Sequence, residues 1–178
     1  MKIVGLQIGK KYDDVKSLRY GSIMIMADQD TDGSHIKGLV INFIHNFWGS
    51  LFQKQGFLKQ FITPLMKVSN KRKEVVSFYT ARDYRVWAEA MNNLKDWKIK
   101  YYKGLGTSTD KEAQEYFQNL ERNRIYFKYH GEEDDEAMKL IFCKKNADKR
   151  KDWLARYDPD AAMEYDRPVI GYKEFVDR

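Results

Sequence analysis

The sequence predicts an α/β layer fold around a largely parallel sheet, with a helical C-terminal extension, on three observations. Short apolar runs of strand length alternate with amphipathic stretches of helical period. One such run, Ser22-Ile23-Met24-Ile25-Met26-Ala27, passes directly into an acidic turn, Asp28-Gln29-Asp30-Thr31-Asp32-Gly33, and then a helix. The 178 residues include 10 Phe, 12 Tyr and 4 Trp, which furnishes a core and excludes a chain disordered throughout. The length suits one domain, or one with a short appendage. No apolar stretch approaches the ~18 residues of a membrane span, and Met1 to Leu6 lacks the apolar run of a secretory signal. Cys143, the single cysteine, excludes an intrachain disulfide and a C-x-x-C zinc site. The net charge of +6 is compatible with a polyanionic partner without establishing one.

Each element has a local reason. The helix after the acidic turn is expected to begin near Ser34, capped by Asp32 or Ser34. Its stripe of Ile36, Leu39/Val40, Phe43/Ile44 and Phe47/Trp48 recurs every three to four residues, and Gly49 stops it. Gly56 to Val68 reads as extended, with Pro64 marking a break. Glu74 to Tyr79 reads as a strand, Ala81 to Met91 as a helix bearing Tyr84, Trp87, Ala88 and Met91, and Trp97 to Tyr101 as an alternating strand. Thr109 and Glu112 form a capping box for a helix carrying Ala113, Tyr116, Phe117 and Leu120. Ile125 to Tyr129 reads as one more strand. A long helical stretch follows, acidic at its start (Glu132 to Glu136) and basic at its end (Lys144-Lys145, Lys149 to Lys151), which complements the helix dipole. Pro159 and Pro168 flank a tail expected to leave the compact unit.

Chemistry concentrates in the aspartates. Asp28, Asp30 and Asp32 alternate after a buried strand, so in extended chain they point the same way. Three like charges so close call for a cation, and oxygen-only ligands favour a hard one, Mg²⁺ or Ca²⁺. The bland alternative is a turn that merely caps the following helix. An EF-hand is excluded, because position twelve of its loop is Leu39 instead of Glu and a strand precedes the loop. An aspartyl-nucleophile magnesium phosphatase is weakened, because Asp32 stands where that family has Thr or Val. A non-catalytic DNA-binding module with a degenerate acid cluster is the other alternative.

Ile25 to Leu39, with its Asp28-Gln29-Asp30-Thr31-Asp32-Gly33-Ser34-His35 centre, resembles the acidic segment of the TOPRIM domain in eukaryotic-type DNA topoisomerase II. Ile62-Thr63-Pro64-Leu65-Met66-Lys67 resembles that family's P-L-x-K segment, and Lys100-Tyr101-Tyr102-Lys103-Gly104-Leu105-Gly106-Thr107-Ser108-Thr109 its glycine loop. Gly131 to Asp135, with Lys144-Lys145, resembles the linker toward a winged-helix domain. The resemblance covers roughly residues 3 to 155 and implies a TOPRIM-like, Rossmann-like fold. Residues 1–125 would be the C-terminal majority of a TOPRIM domain, 126–156 a helical linker and 157–178 a tail or connector.

The resemblance also implies a function: ATP-dependent cleavage, passage and religation of double-stranded DNA by a homodimeric parent. That parent is expected in the nucleus, or alternatively in a mitochondrial or kinetoplast-type organelle. Asp28 and Asp30 would be catalytic through Mg²⁺, in a two-ion site of the full enzyme, with Asp32 as a supporting carboxylate. Lys103, Gly104, Gly106, His35, Lys37 and Lys67 would contact DNA, positioning its backbone without reading sequence. The loop amides and the amino terminus of the next helix would accept phosphate. The family's E-G-D-S-type glutamate, its nucleophilic tyrosine and its ATPase domain are not in this sequence. The chain alone is therefore expected neither to cut DNA nor to hydrolyse ATP.

Overall fold

A computed structural model describes residues 1–91, 93–102, 104–156 and 167–177. Strand β1 (Ile23–Ile25) is followed by helix α1 (Thr31–Phe47), the short α2 (Gly49–Phe52) and β2 (Leu58–Phe61). Then come β3 (Met66–Asn70), β4 (Val75–Phe78), α3 (Ala81–Ala90), β5 (Trp97–Tyr101) and α4 (Asp110–Gln118). β6 (Arg124–Lys128), α5 (Glu132–Phe142), α6 (Ala147–Leu154), β7 (Val169–Gly171) and α7 (Tyr172–Val176) complete the order.

The α/β class holds, and the strands divide between two sheets. The four-stranded sheet runs β1-β2-β6-β7, parallel at β1–β2 and β6–β7 and antiparallel at β2–β6. The second, β4-β3-β5, is antiparallel throughout. A single largely parallel sheet is therefore too simple. The handover between sheets occurs at Ile62-Thr63-Pro64-Leu65, where Pro64 has no N–H to extend a ladder. Ile62 and Asn123 close one side of the handover, the Ile62 amide donating to the Asn123 carbonyl at 2.8 Å and the Asn123 side chain donating back at 3.0 Å. On the other side, the Leu65 amide donates to Phe78 and the Tyr102 amide donates to Leu65, which starts the second sheet.

Each sheet has its own core. Ile25, Leu58, Ile125, Phe127 and Ile170 from the first, with Ile62 just past β2, pack against Ile41, Ile44, Met138, Tyr172 and Phe175 from the helices. Met66, Val68 and Phe78 pack with Tyr84, Trp87 and Trp97 in the second. In β2 the period of two puts Leu58 into the first core, while Phe61 stacks on Phe117 of α4 at 5.5 Å.

Three expectations change. The stretch after Pro168 returns to the fold: β7 pairs with β6, and Tyr172 is fully buried, stacked on Phe52 with centroids 3.9 Å apart and donating to the Phe52 carbonyl. Residues 157–166 and 178 of the expected tail lie outside the described residues. The boundary expected at 125 falls inside β6, whose ladders to β2 and β7 tie both sides together. In α1 the buried row is Gly33, Lys37, Gly38, Ile41 and Ile44, with Trp48 buried just beyond, while Ile36, Leu39, Phe43 and Phe47 are exposed. The apolar arc of this helix is wider than the contact it makes.

Candidate metal and phosphate site

β1 delivers the chain through the buried Ala27 into the acidic turn. Asp30, with extended backbone, is the N-cap of α1: its Oδ1 accepts from the Gly33 amide at 2.7 Å. Capping falls to Asp30, and not to Asp32 or Ser34, because the helix begins at Thr31. Gly33 is required by space. A Cβ there would stand 2.0 Å from the Asp28 carbonyl oxygen, so only glycine lets the first helical turn fold back on the strand end.

Asp28, half-buried, reaches across to the second sheet's side of the molecule. Its Oδ1 accepts from the Leu105 amide at 2.7 Å. Gly104 lies flush against the same carboxylate, where a Cβ would stand 2.6 Å from Oδ2 and 2.7 Å from Oδ1. The glycine loop thus grips Asp28. The Leu105 N–H expected to meet a phosphate is spent on that grip.

The helix after the loop is likewise occupied. The Thr109–Glu112 capping box forms as expected, and Glu112 accepts from the Thr109 amide at 2.8 Å, from Lys100 Nζ at 2.8 Å and from the Tyr102 hydroxyl. Burial alone would raise the Glu112 carboxyl; the hydrogen bonds from Lys100, Thr109 and Tyr102 outweigh it and hold it down at about 2. This N-terminus carries its own anion, so a phosphate there would meet a carboxylate already in place.

The other expected DNA contacts scatter. His35 is exposed on α1, and Gly106 is exposed with open space beside it. Lys103 lies outside the described residues. Lys67, mostly covered, sits 4.9 Å from the Tyr116 ring centroid and 3.4 Å from Glu115 Oε2. Lys37, expected to contact DNA, is 1% exposed, and its Nζ donates to Gln29 Oε1 at 3.2 Å, because it lies on the buried row of α1. Gln29 was passed over by sequence reasoning, although the alternation that turns Asp28 and Asp30 one way turns Gln29 the other. The joint hold of Lys100 and Tyr102 on Glu112 had no local signal beyond the capping box.

Among the described residues no three ligating side chains surround one point, and Asp32 is exposed on the first turn of α1. What the turn offers is Asp28 and Asp30, each with one oxygen engaged by an amide and the other without a hydrogen bond among the described residues. That donor set fits Mg²⁺, which is held by one or two carboxylates and otherwise by water and phosphate oxygens. It is too sparse for Ca²⁺, which takes roughly six to eight oxygens.

Known proteins bear on the arrangement. The chain is 52% identical to DNA topoisomerase 2 top-2 of Caenorhabditis elegans over its whole length and spans 13% of that relative. It is 60% identical to DNA topoisomerase 2-beta of Gallus gallus, over 90% of this chain and 10% of the relative. A crystal structure of the Plasmodium falciparum topoisomerase II DNA-binding, cleavage and re-ligation domain superposes with a TM-score of 0.94 at 46% identity, covering 99% of this chain and 24% of the other. A family model described as the C-terminal associated domain of TOPRIM matches residues 61–178, and the chain belongs to that family.

Proposed function

We propose that this chain is the magnesium- and phosphate-handling segment of a type II DNA topoisomerase, whose parent cleaves, passes and religates double-stranded DNA. The observation that carries the proposal is the seating of Asp28: a carboxylate at the end of a buried strand, fixed by the Leu105 amide against Gly104. Likeness to proteins named DNA topoisomerase 2 supports the reading. In this proposal the free oxygens of Asp28 and Asp30 hold Mg²⁺, and Asp32 supports them through its charge. When bound, the ion stabilises charge on the attacking and leaving oxygens of the scissile phosphate. The chain's own residues orient the carboxylates: the Leu105 amide fixes Asp28, and the first turn of α1 fixes Asp30. His35, exposed beside the turn, and Lys103 in the glycine loop are the proposed phosphate contacts.

The proposed parent is a homodimer acting in the nucleus, with ATP used by a separate domain, and the 178-residue chain alone neither cleaves DNA nor hydrolyses ATP. The test is made in the full-length parent. Asp28→Ala should abolish metal-dependent cleavage of supercoiled DNA while duplex binding, measured by gel shift, survives. Retained metal-dependent cleavage by that variant would sink the proposal.

A further inference from the structure

Gln29 stands between the two proposed ligands, and its side chain makes two internal hydrogen bonds. Its Nε2 donates to the Phe61 carbonyl oxygen at the end of β2, at 3.3 Å, and its Oε1 accepts from Lys37 Nζ at 3.2 Å. One side chain therefore ties the acidic turn to the sheet and to α1 at once. Lys37 is an expensive way to make the second tie. It is 1% exposed on a row whose other members are Gly33, Gly38, Ile41 and Ile44, and its one hydrogen-bond acceptor among the described residues is a neutral amide. Buried ammonium groups ordinarily take a carboxylate partner. An apolar side chain of similar length would fill this place without that penalty. The bond to Gln29 Oε1 puts the ammonium beneath the turn, where Asp30 and Asp28 stabilise its charge from a distance.

We propose that Gln29 and Lys37 are positioning residues for the cation site, bracing the turn from inside so that Asp28 and Asp30 keep a fixed outward presentation. The inference rests on reading those two aspartates as cation ligands. Groups hydrogen-bonded directly to metal ligands commonly change affinity by about 10- to 100-fold when removed; Gln29 and Lys37 act one step further back, through the turn itself, so the low end of that range is expected.

The experiment titrates Mn²⁺, followed by its electron paramagnetic resonance signal, into the full-length parent. Gln29→Met, Lys37→Met, the double variant and Asp28→Ala are titrated alongside, with apo melting temperatures recorded for each. On charge alone, Lys37→Met should tighten Mn²⁺, since it removes a cation near the site; positioning predicts the reverse. The expected result is weakening by about tenfold or more in both single variants, with losses that do not add in the double variant because they share one hydrogen bond. Should Gln29→Met not fold, Gln29→Asn, which keeps the amide but shortens its reach, takes its place. Affinities within about twofold of the parent, independent additive losses, or tighter binding by Lys37→Met, with Asp28→Ala still abolishing uptake, would overturn the positioning role and leave the cation reading standing. A parent chain that takes up no Mn²⁺ would overturn both.

Discussion

Replacing Lys37 by methionine should make the chain more stable at neutral pH and remove most of that advantage in alkali. Burial lowers the Lys37 ammonium from 10.5 to about 8, against the opposing pull of Asp30 and Asp28. The unfolded chain keeps the proton up to its ordinary value, so between about pH 8 and 10.5 the unfolded state binds more protons than the folded one. The contribution of a group with a depressed folded value is complete above the unfolded value and lost as pH falls through the folded one. Parent stability attributable to Lys37 therefore rises through that window, and from the two values the gain between pH 7 and pH 10 is about 2.5 kcal/mol. The assay is urea unfolding at intervals across that range, parent against Lys37→Met. Taking the difference cancels the other groups, including Lys59, which burial also lowers. The margin of the variant over the parent should shrink by about 2.5 kcal/mol toward pH 10. A margin that stays flat would refute the reasoning, because it would mean that folding leaves the titration of this amine unchanged.

Gly104→Ala should push the Asp28 carboxylate off the Leu105 amide and destabilise by about 1–3 kcal/mol; an unshifted Leu105 amide proton resonance would contradict the contact. Glu112→Gln should cost about 1–3 kcal/mol at neutral pH. It should also flatten the acid limb of the stability curve: the parent loses this contribution as pH falls from 4.5 toward 2, the ordinary and folded values of Glu112. An acid limb identical in parent and variant would count against the network. Tyr172→Ala should destabilise by about 3–5 kcal/mol and Tyr172→Phe by only about 1 kcal/mol, both read by thermal melting. A tolerated alanine would mean that residues 169–176 do not pack on the sheet.

Much of the fold was legible because the signals are local. Several strands follow from short apolar or alternating runs, and the Thr109–Glu112 box from one polar residue placed three before another. Other features depend on partners far along the chain. Val169 to Gly171 forms too short an apolar run after Pro168 to announce a strand, and it becomes one because β6 offers a free edge. Pro64 signals a break, but no residue near it says that β2 and β3 belong to different sheets. In α1 both flanks of the helix are apolar, so periodicity alone could not choose Ile41 and Ile44 over Leu39 and Phe43 as the buried row. At the site, the three aspartates were visible as a cluster. Their separate duties were not, because Asp28 is defined by an amide 77 positions away and Asp30 by where the helix happens to start.

That long reach makes the acidic turn a reporter of assembly. A nascent chain ending before the glycine loop can make the turn but cannot fix its first carboxylate, and one whose antiparallel sheet has collapsed wrongly presents the loop elsewhere. The first carboxylate of the turn is thus set only once the two separately packed sheets have come together.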